Sequence, residues 1–296
     1  MFRLKALALA ALIFAIGGRV SAQAAGQGVG VAPQYDTTHV YVAPDQMDAF
    51  ATSFIATFGG AASKPAVMDV TPTPSSTTFR AFITPSGGLS VFAFKTPIPY
   101  PFGEERTGYL VHDMDAAIAA ARRAGAEMVV APFPDPIGRD AVIRWPGGVN
   151  MQLYWHATPP SYAPFVTVPE NRVYVSADAA DALVRDFIAF SGGHIVADAL
   201  KAPGAEIGRP GETYRRIRLV SDFGKMTVLV TDGHLPWPYG RELTGYEVSN
   251  LAETLAKAKA AGVEVLAGPY STSEREAAMV RFPGGYIAEI HASRSQ

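Results

Sequence analysis

Four stretches of the chain show the periodicity of an amphipathic helix, and shorter segments of alternating or continuous apolar residues separate them. In the first stretch, four apolar residues recur at spacings of three and four: Met47, Phe50, Phe54 and Phe58. This spacing places the four side chains on one face of a helix. Two glycines, Gly59 and Gly60, follow directly and are typical of a helix end. The pattern predicts a helix that begins near Met47 and stops at Gly59.

The other three helices are predicted in the same way. Asp113 is a plausible N-cap for the second helix, which Gly125 ends. The third and fourth helices are predicted over Ala179 to Phe190 and Leu251 to Ala260. Each helix follows one strand-like run and precedes three others, so the predicted unit is a strand, a helix and three strands, repeated four times.

The chain also repeats itself on a larger scale. The segment that begins at Pro99 and ends at Val111 reappears from Pro236 to Val248, an offset of 137 residues. Shorter matches flank both segments, so the sequence contains two copies of one domain. We place the first copy at residues 36–157 and the second at residues 168–292. A Pro-rich linker, residues 158–167, separates them, since proline has a fixed φ angle and no amide donor.

The amino-terminal residues predict export from the cytoplasm. Residues 1–22 contain two basic residues, Arg3 and Lys5, an apolar run and small residues at the end, as in a cleavable signal peptide. The apolar run is shorter than the roughly 20 residues that span a bilayer, so no membrane anchor is expected after cleavage. Residues 23–35 are predicted to be a flexible spacer. A periplasmic or secreted location follows from this interpretation.

Composition narrows the possible chemistry. The chain of 296 residues has a formal net charge of -2, which gives no attraction to nucleic acid. It contains no cysteine, so thiol nucleophiles, disulfides and thiolate metal sites are excluded. Any metal ligand must come from His, Asp, Glu, Gln or water. The expected partner is a small molecule, and the sequence does not indicate an oligomeric state.

Two motifs recur among the four modules and carry a family resemblance. Three predicted helices begin with Asp and Ala residues, as in Asp45-Gln-Met-Asp-Ala49, and two strands follow Arg-aromatic-Pro-Gly-Gly and lead to Gln152 or Glu289. This arrangement resembles the vicinal oxygen chelate superfamily, which includes glyoxalases, bleomycin-resistance proteins and extradiol dioxygenases. The resemblance covers residues 36 to 292 and implies an α+β fold. Two tandem domains are expected, each a pair of βαβββ modules that form a cupped mixed sheet.

In that superfamily the cup holds a divalent metal through inward side chains of particular strands. In the first copy, these positions are occupied by His39, Arg106 and Gln152, and in the second copy by Arg172, Leu243 and Glu289. Arginine stays protonated and cannot ligate a cation. The resemblance therefore implies an incomplete metal site in the first copy, with His39, Gln152 and Glu105 as ligands for Mn, Ni, Zn or Fe. His39 and Glu289 are the expected catalytic residues.

Other residues are candidates for substrate binding. Arg106 and Arg172 can hold a carboxylate or phosphate, or they can pair with protein carboxylates such as Glu105 and Glu242. Two loops alternate proline with aromatic residues and are either a wall of the binding site or an outer linker; one of them contains Trp237. The last two candidates are Tyr109 and Tyr246, each of which follows a glycine in a predicted strand. Strand alternation places them on the face opposite Arg106 and Leu243.

Two functions are compatible with these residues. The first is an exported glyoxalase-like enzyme, a metal-dependent lyase, isomerase or dioxygenase that acts on a small oxygen-rich substrate. The alternative is a metal-free protein of the same fold that binds or sequesters a small molecule through Arg106 and Arg172. Complete ligand sets would favour the first function, and the arginine substitutions favour the second. The better site is expected in the first copy.

Overall fold

A computed structural model of the chain describes residues 28–33 and 36–294. The predicted signal peptide lies outside the described residues, as does most of the predicted spacer. The described part of that spacer lies against a later strand, because the amide of Val31 donates to the carbonyl of Leu110 at 3.0 Å. Within the described residues, no helix has the length and hydropathy needed to cross a bilayer.

The first sheet is built from residues 36–156 and is mixed. Its elements follow one another as β1 (Asp36–Tyr41), α1 (Met47–Phe58), β2 (Ala61–Ala62), β3 (Ala66–Met68), β4 (Thr77–Thr84), β5 (Gly87–Phe94), β6 (Thr107–Leu110), α2 (Met114–Arg123), β7 (Glu127–Pro134), β8 (Gly138–Trp145) and β9 (Val149–His156). Across the sheet the strand order is β2-β4-β5-β1-β6-β9-β8-β7, and β3 pairs with β4. β1 runs parallel to β5 and antiparallel to β6, so two modules meet in the middle of the sheet.

The second sheet repeats this arrangement. Its elements are β10 (Glu170–Val175), α3 (Ala177–Ser191), β11 (His194–Pro203), β12 (Thr213–Ser221), β13 (Gly224–Val230), β14 (Leu243–Glu247), α4 (Leu251–Ala260), β15 (Glu264–Ser271), β16 (Arg275–Arg281) and β17 (Ile287–Ser293). The strand order is β11-β12-β13-β10-β14-β17-β16-β15. The α+β fold, with tandem pairs of βαβββ modules in mixed sheets, is therefore confirmed.

The predicted helices are confirmed with small changes at their ends. α1 ends at Phe58, and α4 has the predicted bounds, whereas α3 begins two residues before the predicted Ala179. The side chain of Asp113 accepts a hydrogen bond from the amide of Ala116, which is the N-cap contact expected at the start of α2. Local patterns of apolar and capping residues are sufficient to set these helices.

The helices lie between the two sheets. The ring of Phe50 in α1 contacts Phe82 of the first sheet and both Phe282 and Tyr286 of the second. Trp145 of the first sheet packs in turn on Phe187 of α3. Because side chains alternate along a strand, the sheet residues that do not face the helices point to the opposite, outer face of each sheet. The candidate sites lie on those outer faces.

Candidate functional site on the outer face of the first sheet

A cavity of about 380 Å³ occupies the outer, concave face of the first sheet. Its walls are largely apolar side chains from β4 and β5, with Phe102 from the Pro-aromatic loop. The linker between the two sheet-forming halves also contributes two rings. The lining residues include Phe79, Ala81, Phe92, Phe94, Tyr162 and Phe165. A cavity of this size and character can hold a small organic molecule.

No Lys or Arg side chain lines this cavity within the described part of the chain. The polar lining includes His39 and Tyr41 at one end, Asp135 in the loop before β8, and Asp140, Gln152 and His156 on β8 and β9. An anionic ligand would find no counter-charge on these walls, and a buried anion without a counter-charge is costly. The cavity is therefore suited to an uncharged ligand.

His39, Tyr41 and Glu105 form one contact group at the end of the cavity. The imidazole is only 3% exposed and Glu105 is fully buried. His39 Nδ1 lies 3.5 Å from Glu105 Oε1, and the hydroxyl of Tyr41 donates a hydrogen bond to the same oxygen. Burial and the neighbouring Glu105 raise the pKa of Tyr41, so its hydroxyl keeps its proton and remains a donor. A carboxylate held beside an imidazole is suited to acid–base chemistry.

Gly108 on β6 makes room for the imidazole. A Cβ atom at this position would lie 2.4 Å from His39 Nε2, a distance at which the two groups collide. Packing against His39 therefore requires glycine at this position. The second sheet repeats the device, since a Cβ on Gly245 would lie 3.1 Å from Arg172 Cδ.

Replacing Gly108 by Ala is expected to displace the imidazole and to weaken ligand binding in the cavity by about tenfold, about 1.4 kcal/mol. The added methyl group collides with His39, so the imidazole must move from its present position beside Gly108. A fluorescence titration with N-phenyl-1-naphthylamine, a neutral and apolar probe, measures the change. Gly245→Ala is the matched control in the second sheet and should leave the affinity unchanged. Unaltered binding in Gly108→Ala would contradict a role for the position of His39.

Burial favours the uncharged forms of the titratable groups on β8 and β9. Burial raises the pKa of Asp140 well above its usual value, and Asp135 adds to the shift, although the hydrogen bond with Gln152 opposes it. Burial lowers the pKa of His156, with Asp135 in opposition. A protonated carboxyl, an amide and a neutral imidazole can all donate or accept hydrogen bonds without a net charge. They provide polar contacts for a neutral ligand.

The predicted metal ligands do not form a complete set. His39 and Glu105 lie together, but the side chain of Gln152 is engaged with Asp140, and Tyr41 occupies one oxygen of Glu105. Among the residues that the structure describes, no three or more His, Asp or Glu side chains are arranged to hold a metal ion. Zinc sites in proteins use three or four protein ligands. The residues present therefore do not fit a self-sufficient metal site.

The equivalent face of the second sheet is filled by a ring of buried ion pairs. Arg172 contacts Glu170 at 2.7 Å and Glu289 at 3.1 Å, and Arg275 contacts the same two carboxylates at 3.2 Å and 3.3 Å. Burial alone would raise the pKa of Glu289, but Arg172, His291 and Arg275 outweigh it and lower the pKa to about 2. The guanidinium of Arg172, which was expected to bind substrate, is thus paired with protein carboxylates. Glu289, which was expected to be catalytic, is one of these carboxylates.

Strand register explains why one face is open and the other filled. In the first sheet, His39 pairs with Ser90, which pairs with Ala81; the same steps in the second sheet lead from Arg172 through Thr227 to Arg218. Two further positions of the first sheet also correspond by register to arginines of the second: Phe79 corresponds to Arg216, and Gly138 corresponds to Arg275. Short or apolar residues leave space in the first sheet, whereas three arginines with carboxylate partners fill the second.

The remaining predicted substrate-binding residues lie away from the cavity. Arg106 donates to the carbonyl of Gly103 at 2.5 Å, and its guanidinium lies 5.8 Å from the ring centre of Tyr41. Two tyrosines are buried between the sheets, where Tyr109 contacts Phe223 and Tyr246 shares a hydrogen bond with Tyr286. This placement agrees with the strand-alternation argument. Trp237 is 55% exposed, and the guanidinium of Arg281 lies 5.9 Å from its ring centre.

Some residues of the cavity had no clear signal in the sequence. Asp140 lies in β8 and is not part of a sequence motif. Because residues two apart on a strand share a face, only its spacing from Val142 indicates the face on which it lies. Tyr162 and Phe165 belong to the linker. The linker lies at the cavity because the amides of Val166 and Thr167 donate hydrogen bonds to the carbonyl of Pro85. That contact depends on tertiary structure and has no local sequence pattern.

Comparison with solved structures places this fold in a known class. A variant of 4-hydroxymandelate synthase from Streptomyces coelicolor aligns over 90% of this chain and 94% of its own, with a TM-score of 0.60 and 14% identity. The 2,3-dioxygenase LapB from Pseudomonas sp. KL28 aligns over 90% and 95%, with a TM-score of 0.54 and 11% identity. The Mn(II)-bound glyoxalase from Novosphingobium aromaticivorans aligns over 90% and 83%, with a TM-score of 0.52 and 14% identity.

The chain has the fold of the vicinal oxygen chelate superfamily, as the sequence motifs predicted. At these identities the likeness establishes the fold and leaves the activity open. No family sequence model matches the chain, and no curated protein is similar to it in sequence.

Proposed function

We propose that the protein binds a small, uncharged, largely apolar organic molecule on the outer face of the first sheet, with His39 and Glu105 as an acid–base pair at one end. The observation that carries this proposal is the contrast between the two faces. The first holds a cavity of about 380 Å³ without a Lys or Arg side chain in its described lining. On the second face, arginines paired with carboxylates take up the equivalent positions.

The polar ends of the cavity define the ligand further. Asp140 with Gln152 can hydrogen-bond a hydroxyl or carbonyl group, and the apolar walls suit a ring or a short hydrocarbon. At the other end, the imidazole of His39 lies 3.5 Å from the carboxylate of Glu105, which can orient the ring. A ligand with an acidic C–H or O–H group next to His39 can transfer its proton there, which would make the protein an enzyme as well as a binder.

A matched pair of fluorescent probes tests the preference for an uncharged ligand. N-phenyl-1-naphthylamine is neutral and apolar, and its 8-sulfonate differs from it by one anionic group. We expect the neutral probe to bind at least about tenfold more tightly, since no cation lines the cavity to offset the buried sulfonate. Fluorescence titration measures both affinities, and competition between the probes shows whether they share one site. Equal or tighter binding of the sulfonate would contradict the proposal.

A metal-dependent enzyme is the second candidate function. Glu105 Oε2 is buried and has no hydrogen-bond partner in the described residues, and His39 Nδ1 makes only its 3.5 Å contact with Glu105. The fold is shared with a glyoxalase that was solved with Mn(II) bound. Elemental analysis of the purified protein, with His39→Ala as the comparison, tests this candidate. One equivalent of metal that is lost in His39→Ala would support a metal site at His39, and no retained metal in the native protein would remove this candidate.

A further inference from the structure

Two motifs that both halves of the sequence contain come together at the protein surface. They are the Pro-aromatic loop and the arginine of Arg-aromatic-Pro-Gly-Gly. In the first half, Arg144 donates a 2.5 Å hydrogen bond to the hydroxyl of Tyr100. In the second half, the guanidinium of Arg281 lies 5.9 Å from the ring centre of Trp237. Both contacts join residues at equivalent places, since each residue of the second pair follows its counterpart by the repeat offset.

A glutamate completes each group. Arg144 lies 3.5 Å from Glu127, and Arg281 donates a hydrogen bond to Glu264. β7 and β15 supply these glutamates, and each is paired in register with the arginine on the neighbouring strand. Each half therefore has an aromatic platform of three side chains that are accessible to solvent: Tyr100, Arg144 and Glu127 in the first half, and Trp237, Arg281 and Glu264 in the second.

The loops hold the rings of the two platforms in solvent. Tyr100 is 66% exposed, whereas Phe102 of the same loop is buried and contacts the ring of Phe133. The second loop repeats this arrangement, with Trp237 exposed and Tyr239 buried. Prolines on both sides of each exposed residue restrict the backbone further. Because both loops bury one ring and expose the other, the exposure belongs to the fold and does not come from one poorly packed residue.

The two platforms lie near a common point. A small cavity of about 90 Å³ at the junction of the two halves is lined by Arg106, from the end of the first loop, and by Arg241, from the end of the second. Tyr100 precedes Arg106 by six residues, and Trp237 precedes Arg241 by four. A fully extended chain of these lengths reaches roughly 22 Å and roughly 14 Å, which are upper limits for the two Cα–Cα distances. One extended polymer is long enough to reach both rings.

The side chains of a platform define the chemistry of its ligand. Its one positive and one negative charge balance, so neither an anion nor a cation is favoured. The electron-rich face of the ring packs well on C–H groups. Beside the ring, the guanidinium donates hydrogen bonds and the carboxylate accepts them, which matches hydroxyl groups that do both. A sugar ring combines these properties, because it has C–H groups on its faces and hydroxyl groups around its edge.

A proline-rich peptide is a less suitable ligand. Its rings can also stack on tyrosine or tryptophan, but proline has no amide donor and offers carbonyl acceptors alone. The glutamate of each platform would then gain no partner from the ligand. The hydroxyl groups of a sugar satisfy both the arginine and the glutamate.

We propose that the two platforms bind one neutral polysaccharide, with a sugar ring stacked on Tyr100 and another, further along the same polymer, stacked on Trp237. A ligand with a repeating structure explains why the platform occurs at two equivalent places. Two weak contacts with one polymer give a much higher affinity than either contact alone. This surface is separate from the ligand cavity, so the proposal does not depend on the proposed function.

Affinity electrophoresis in native gels tests the proposal. Each gel contains one neutral polysaccharide, namely hydroxyethylcellulose, xyloglucan, galactomannan, laminarin or dextran, and a further gel contains alginate, which is anionic. We expect at least one neutral polysaccharide to retard the native protein more strongly than alginate does. Tyr100→Ala and Trp237→Ala should each weaken this binding by about tenfold, and the double variant by at least about a hundredfold. Leu200→Ala, which removes another exposed apolar side chain, is the matched control and should bind like the native protein.

Phenylalanine variants separate stacking from a structural role of the loops. Tyr100→Phe and Trp237→Phe retain a ring but lose the polar group, so each should bind within about threefold of the native protein. Circular dichroism checks the fold of every variant, and exposed positions such as these tolerate substitution. Absence of retardation by all the neutral polysaccharides would overturn the proposal, as would stronger retardation by alginate. Equal losses in the alanine and phenylalanine variants, or displacement of the polysaccharide by a polyproline peptide, would overturn it as well.

Discussion

Replacing Arg172 by Met is expected to destabilise the protein by about 3–5 kcal/mol, the effect of removing one partner from a buried ion pair. The guanidinium is 2% exposed and contacts both Glu170 and Glu289. Methionine fills much of the space but leaves the two carboxylates with Arg275 as their shared cation. Denaturant unfolding with linear extrapolation measures the change in the free energy of unfolding.

Arg215 provides a matched control on the same sheet. It also pairs with two carboxylates, Asp181 and Asp198, but these groups are accessible to solvent. Exposed pairs contribute about 0–1 kcal/mol, so Arg215→Met should change the free energy of unfolding by no more than that. Adding Glu289→Gln to Arg172→Met should recover part of the lost stability, because it removes one of the two buried carboxylates that then share Arg275. Equal effects of the two arginine variants would contradict the structural role of the ring.

The buried ring also explains the limits of sequence reasoning about this protein. The helices and the two mixed sheets were predictable because periodicity, an N-cap such as Asp113 and the internal repeat are local or repeated signals. Whether Arg172 meets an external anion or a protein carboxylate depends on which side chains the fold brings close. Arg275, which completes the ring, lies more than a hundred residues further along the chain.

The candidate site likewise combines a feature that the sequence predicts with contacts that depend on the tertiary fold. The inward position of His39 followed from the family resemblance, and the structure places it at the end of a cavity. Its contact with Glu105 depends on the way β1 and the loop before β6 approach each other, and the engagement of Gln152 by Asp140 depends on the pairing of β8 with β9. The first contact joins distant parts of the chain and the second depends on strand register, so hydrophobic pattern and spacing carry no signal for either.

Filling the cavity by Ala81→Phe is expected to weaken binding of N-phenyl-1-naphthylamine by at least about 30-fold, about 2 kcal/mol. Ala81 lines the cavity from β4, and its side chain is partly exposed, so a ring placed there extends into the open space instead of the core between the sheets. The position corresponds by register to Arg218, one of the arginines that occupy the second face. The substitution therefore imitates the way the second sheet closes its own concave face.

Ala81→Ser is the matched control, because a hydroxyl group adds little volume and leaves the cavity open. Fluorescence titration of the native protein and both variants gives the comparison, and unfolding curves show whether the phenylalanine variant keeps its fold. Since Ala81 lies outside the cores between the sheets, we expect both variants to unfold within about 1 kcal/mol of the native protein. A folded Ala81→Phe protein that binds the probe with unchanged affinity would place the ligand site elsewhere and remove the main support for the proposed function.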